Sequence, residues 1–460
     1  MAQAKEPLRR ELAKFIQGTS FQNLPAGVNR FAKLCILDLI GVSFAGIPQR
    51  TTSIISDLIS AGSGYGEATL WGSDRKLPVL SASLINAVQG HAIDMDDGHR
   101  FANGHPGVVT IPGAVALAER ENLTGRELIA SVVIGYEIFI RLGTSVNPDL
   151  LHRGFHTTAT IGSFSSAAVA SKLLGLSVPQ TENALALAGL QSAGLLEALS
   201  SGEAGKSFQV GKAVQSGLLA GLLAQQGADG PEYIFEGEKG FFRAFSGKPC
   251  DLETLCRDLG TDFQITSVYF KRHAACRHIH SAIDAVEDIV TKHRFSPEQI
   301  SSIDIETYSI AKSLTGHLAT TGSELAAKFS MPIAIALFLV FGKTDSGAFN
   351  KQNISNPLVQ SIAQKVTVKA NSELDADYPG KRTARVSIHT DNQTYRQEVA
   401  CPKGEPENPL SDDAFMDKYE TNARVLFSAT QARKIRETIL NMESLPVREL
   451  TDMLHPRVSS

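Results

Sequence analysis

The chain has 460 residues, 43% of them hydrophobic, and a formal net charge of -4. That length allows two or three domains around a large buried core, and the near-balanced charge excludes the strongly basic footprint of a nucleic-acid binder. Five cysteines, odd in number and without a CxxC pair, argue against a disulfide framework and for a reducing compartment. The N-terminal stretch MAQAKEPLRRELAKF has no apolar signal core, and the most apolar runs, such as 331–341, are too short to span a bilayer. A cytoplasmic protein without a membrane partner is expected.

In chain order, the first half reads as successive helices. Residues 28–45 carry a broad apolar face, 107–121 are rich in Ala, Val and Leu, and 128–142 follow a capping box of Thr124 and Glu127. Residues 157–174, 181–199 and 210–226 are rich in small and apolar residues with few charges, the texture of helices buried against other helices. Near residue 262 the texture changes. Alternating or β-branched patterns predict strands at 263–270, 300–308, 365–370 and 384–389, with a hairpin turning at Asp391 and Asn392. Helices are predicted between them at 279–292 and 324–341, and again at 412–419 and 429–441. The expected fold is mainly α: a discontinuous helical domain (1–262 with 401–460) and a smaller α+β lid (263–400), with a ligand cleft between them.

Four polar clusters carry possible chemistry. The first joins two apolar helices and packs three carboxylates and three imidazoles between His91 and His105, including Asp94, Asp96, Asp97 and Arg100. A capped, solvated loop needs only one such residue. A metal reading lacks tight ligand spacing. The second, His152-Arg153-Gly154-Phe155-His156, precedes a helix and suits a carboxylate at a helix N-terminus. The third, residues 200–207, contains Gly205-Lys206-Ser207, but Ser200 stands where a phosphate loop needs glycine, and no strand precedes it. Lys206 is therefore a carboxylate anchor or proton carrier. The fourth runs from Tyr269 to His280 and holds Lys271, Arg272, Arg277 and His278. Cys276 within it has no triad pattern to make it a nucleophile. No dinucleotide, flavin, pyridoxal or haem signature is evident. Together the clusters point to binding an acidic small molecule and moving protons on it.

Five blocks carry a family resemblance: HAIDMDDGHRFANGHPG (91–107), GYEIFIRLG (135–143), GFHTTATIGSFSSAAVASKLLGL (154–176), YFKRHAACRHIHSAIDA (269–285) and CPKGEPENPLSDD (401–413). In them the chain resembles the MmgE/PrpD family, which includes 2-methylcitrate dehydratase, cis-aconitate decarboxylase and iminodisuccinate epimerase. The resemblance implies a helical domain plus an α+β lid, a homodimer, and no metal or organic cofactor. It implies catalytic roles for Asp94, His105, His156, Lys206 and Lys271. Gly98, Cys276 and Met331 stand where the decarboxylases have Thr, His and Tyr, which counts against cis-aconitate decarboxylation. The expected activity is dehydration of a small hydroxy-polycarboxylate resembling 2-methylcitrate, by proton abstraction next to a carboxylate. Arg100, Arg153, Arg277, His278 and Cys276 are expected to bind the substrate. Epimerisation of an imino- or amino-dicarboxylate comes next, then decarboxylation, then a non-catalytic carboxylate binder.

Overall fold

The computed structural model describes residues 6–62, 64–199, 205–249, 251–318 and 323–456. Its larger core is a helical assembly of Ala26–Gly46, Val79–His91, Pro106–Arg120, Gly125–Val146, Thr157–Leu173 and Gly205–Gln225. The small residues of these helices set their spacing. A Cβ on Gly135 would lie 2.4 Å from Thr110 Cγ2, so Gly125–Val146 and Pro106–Arg120 touch backbone to side chain. Hydroxyls satisfy one another at this contact: Thr110 Oγ1 lies 2.8 Å from Ser165 Oγ, which donates to the Gly135 carbonyl at 3.0 Å. Gly125–Val146 opens at the expected capping box, Glu127 Oε2 accepting from Thr124 N at 2.9 Å. Among the described helices it alone is long and apolar enough to cross a membrane, and 89% of that apolar window is buried.

The smaller core is built mostly from residues 274–399, with Val42, Ala45, Ile93 and Met95 added from the helical part. Its four-stranded sheet has the order β4-β3-β5-β6, with β3 at Ile300–Thr307, β4 at Val366–Ala370, β5 at Ala384–Thr390 and β6 at Thr394–Val399. A separate pair, β1 (Ala68–Thr69) and β2 (Lys76–Leu77), edges the helical part. β3 runs parallel to β4, pairing Ile303 with Val366, and antiparallel to β5, pairing Ile303 with Ile388. The hairpin turns where its sequence predicts, with Thr390 N donating to Gln393 O at 2.9 Å. One sheet face packs on helices His280–Lys292 and Met331–Phe341 through Ile303, Ile305, Val386 and Ile388. Helices Asp412–Ala423 and Ala429–Leu440 then return to the larger core through Phe415, Tyr419, Ile435 and Ile439.

Three predicted elements differ. Residues 263–270 form a single turn at Gln264–Ser267 rather than a strand, because the amides of Gln264 and Ile265 are taken by the Glu137 carboxylate and Phe263, Ile265 and Val268 face the helical core. The helix predicted over 181–199 stops at Gly189, since Gly194 must offer its carbonyl to His156 N at 3.1 Å. The helix predicted over 324–341 is two, Glu324–Lys328 and Met331–Phe341. Ser330 caps the second, and Pro332 has no N–H to continue the first. Residues 200–204 of the third polar cluster lie outside the described residues.

Candidate active site

The loop between helices Val79–His91 and Pro106–Arg120 is clamped between the two cores. Ile93 and Met95 belong to the smaller core while their flanking helices belong to the larger one. Asp94 sits in the left-handed region at φ 55, which an aspartate tolerates only at some cost. Three buried lysines from three other segments hold that conformation through consecutive carbonyls. Lys328 donates to Ile93 O at 3.0 Å, Lys271 to Asp94 O at 2.8 Å, and Lys418 to Met95 O at 3.0 Å. The Asp94 carboxylate is gripped in turn by Lys206 at 2.5 Å and Lys271 at 3.0 Å. Burial alone would raise its pKa, but these two ammoniums outweigh burial and hold it well below the usual range.

The loop also approaches the lid entry. Gly98 N donates to Tyr269 O at 3.1 Å and Tyr269 N to Gly98 O at 2.8 Å. A Cβ at position 98 would fall 2.3 Å from the Tyr269 hydroxyl. The absence of a side chain here is therefore a packing requirement of the tyrosine.

His105 and His156 occupy the N-cap positions of Pro106–Arg120 and Thr157–Leu173, and Lys206 lies in the first turn of Gly205–Gln225. Three helix N-termini thus converge on one space, each favouring an anion. His105 Nδ1 donates to the Asp97 carbonyl at 2.6 Å, which leaves Nε2 as its free acceptor. Behind it His91 pairs with Asp96 at 2.7 Å, its ring 4.9 Å from that of His105 and 6.1 Å from that of His156. Burial pushes all three imidazoles well below their usual pKa; the positive charge of Lys206 works in the same direction. They are neutral bases at neutral pH. Asp97 is different: burial pushes it up to about 8, and Tyr136 donates to it at 2.7 Å, so its work is to fix the loop.

Ligand-type atoms of His91, Asp96 and His105 come within 4.8 Å of one another. His91 pairs with Asp96 and His105 with the Asp97 carbonyl, while His91 Nε2 and Asp96 Oδ1 have no hydrogen-bond partner; the positive charges of Lys206 and Lys271 bear on both imidazoles and oppose a cation there.

These groups face a cavity of about 710 Å³ lined by Asp94, His105, His156, Lys206 and Lys271, together with Cys276, Arg277 and His278. Burial raises the Cys276 thiol, the opposite of nucleophile activation. His278 Nδ1 lies 2.5 Å from Tyr308 Oη, and burial, with nearby Arg382, lowers its pKa to about 3. Arg100 and Arg153 are absent from the lining. Arg100 is held by Glu407 at 2.9 Å, and Arg153 is exposed and donates to Ala244 O at 3.2 Å. Met331 is fully buried in the smaller core, away from the lining, which instead includes His317. Sequence reading also passed over Tyr269 and Arg382, both on the cavity wall. In the sequence Tyr269 opens a cationic run, and Arg382 sits in no motif.

The profile of the MmgE/PrpD N-terminal domain matches residues 10–253, and that of the C-terminal domain matches residues 273–444. A cis-aconitate decarboxylase-like protein of Aspergillus oryzae is 28% identical, over 96% of this chain and 96% of its own. The cis-aconitate decarboxylase of Homo sapiens is 25% identical over 94% and 91%, respectively. The mitochondrial 2-methylcitrate dehydratase of Yarrowia lipolytica is 21% identical over 90% and 84%. These relatives are lyases.

Proposed function

From the premise that the chain belongs to the MmgE/PrpD family, we propose that it is a lyase acting on a small polycarboxylate, and in the first place a dehydratase of a hydroxy-polycarboxylate. The observation that carries this reading is two lysines on one carboxylate, Lys206 and Lys271 on Asp94, sharing a cavity with the neutral imidazoles of His105 and His156. The ammoniums leave an excess positive charge that attracts a substrate carboxylate. The same charge stabilises the negative charge growing on that carboxylate when the adjacent carbon loses its proton. One imidazole takes the proton, the carbon–oxygen bond breaks, and the hydroxyl leaves with a proton from the histidine pair, so that water and an alkene result.

A second reading is decarboxylation, favoured by the 25–28% identity to proteins bearing that name. The cavity then stabilises the carbanion left by carbon dioxide, which takes up a proton from water relayed through an imidazole. A cytoplasmic homodimer without metal or organic cofactor completes the proposal. Its supports are the free thiols of Cys35, Cys276 and Cys401 and the family resemblance.

The test is incubation with 2-methylcitrate-type acids and cis-aconitate in heavy water. New alkene absorbance marks dehydration, carbon dioxide release marks decarboxylation, and deuterium uptake alone marks epimerisation. His105→Ala and His156→Ala should each slow turnover about 10²–10⁴-fold in a folded protein. Normal turnover by both variants, or none of the three signals from the native chain across the acids, would end the reading.

A further inference from the structure

Two arginines lie on the same cavity wall, and they use their hydrogen-bond donors differently. A guanidinium carries five N–H donors and no acceptor. Arg277 has a partner for every one. Its Nε donates to Glu405 Oε1 at 3.2 Å, and its Nη2 to the same oxygen at 3.0 Å and to the Pro402 carbonyl at 3.5 Å. Its Nη1 reaches His280 Nδ1 at 2.9 Å and the Lys403 carbonyl at 3.1 Å. Arg277 thus ties residues 402–405 to the lid entry, and the role expected for it from sequence, holding substrate, leaves it no free donor.

Arg382 is the reverse case. It is only 4% exposed, and its Nη1 donates to Glu405 Oε1 at 3.3 Å. Its Nε is buried without a hydrogen-bond partner. Its guanidinium carbon stands 5.3 Å from the Tyr269 ring centre, on the other ring contact from Arg277 at 4.4 Å. The main chain beneath it is fixed: Arg382 N donates to Ala400 O at 3.0 Å and Arg382 O accepts from Ser281 Oγ. Arg277 and Arg382 therefore share one oxygen of Glu405, whose other oxygen lies 3.8 Å from Arg100, and the arginine that lines the cavity with donors to spare is Arg382. A buried cation in this state is matched by an oxyanion able to accept from a planar fork.

We infer that Arg382 anchors a second carboxylate of the ligand, separate from the one drawn to Lys206 and Lys271, and so selects acids with at least two carboxylates. This rests on the polycarboxylate reading above. Tyr269 supports the anchor as a platform, and Gly98 is small because that platform needs its space.

The test uses tricarballylate, which has three carboxylates and no hydroxyl to expel, and butyrate, which has one. Both are titrated calorimetrically into the native full-length chain, Arg382→Gln and Arg382→Lys, with thermal melts to confirm folding. Arg382→Gln should weaken tricarballylate at least tenfold and leave butyrate unchanged. Arg382→Lys, which keeps charge but loses the fork, should fall between and carries the test if the glutamine variant does not fold. Native-like tricarballylate affinity in a folded variant overturns the role of Arg382 alone. Failure of tricarballylate to bind the native chain overturns both this inference and the reading it rests on.

Discussion

The two cationic ends of the cavity are built on opposite plans. At the lysine end, Lys206 and Lys271 turn toward one acidic side chain that itself lines the cavity, so the whole ion cluster faces the ligand. At the arginine end, the shared acid is Glu405, 2% exposed and outside the lining, and it draws Arg277 fully into the scaffold while leaving Arg382 partly free. The lesson is that a cation's role follows from where its counter-charge sits.

The comparison can be broken at either end. The largest effect is expected from Lys206→Met, which removes one ammonium from beside Asp94: turnover should drop about 10²–10³-fold while the fold survives. Steady-state kinetics on the true substrate would check this, and a loss under threefold would place the catalytic charge elsewhere. Arg277→Met should act on stability instead. Glu405 keeps Arg382 but loses its two bonds from Arg277, and the 402–405 segment loses its tie, which should cost about 1.5–3 kcal/mol in chemical denaturation. A variant of native stability but poor affinity would reverse the roles assigned to the two arginines.

Asp97→Asn sharpens the contrast between loop-fixing and reacting carboxylates. The folded pKa of Asp97 is raised to about 8 from 3.8. A raised carboxyl keeps its proton in the folded state, so the penalty for ionising it is absent below the lower value and grows as pH rises toward the upper one. The stability of the native protein relative to Asp97→Asn should therefore fall by roughly 1.4 kcal/mol per pH unit within that window. Parallel melts at several pH values would show it, and a pH-independent difference would refute it. The smallest effect is in the rate profile. With His105 and His156 held well below 6.5, kcat/KM should be flat near neutrality and decline only at pH values under 6.5. An acidic limb centred above that value would mean these imidazoles are not the bases.

Much of this was legible in the sequence. Helices poor in charge, and a loop dense in carboxylates and imidazoles between two of them, announced a buried bundle with a polar centre. Residues 263–270 misled because their apolar alternation serves packing on helices, and their amides are met by a side chain, Glu137, far away in the chain. The run from Tyr269 to His280 looked like a concentration of ligand-binding cations. In the fold, His273 is bound by Asp284 at 3.2 Å and Thr344 at 2.7 Å, and Arg277 by the 402–405 segment. Arg382 was invisible for the complementary reason. Its free donors exist only because that segment is already engaged by another residue, a fact of tertiary structure with no local pattern.

The lysine grip on the Asp94 loop has a bearing on how the chain acquires its site. Lys418 reaches Met95 O from 323 positions further along, on a helix that closes over the bundle after the lid has been threaded through. Nascent chains lacking that helix leave the loop unanchored on one side and the larger core without Phe415 and Tyr419. A chain ending before Ser411 retains every cavity-lining residue named above yet lacks this anchor and part of the larger core, so the site is completed by a segment made after all of its lining residues.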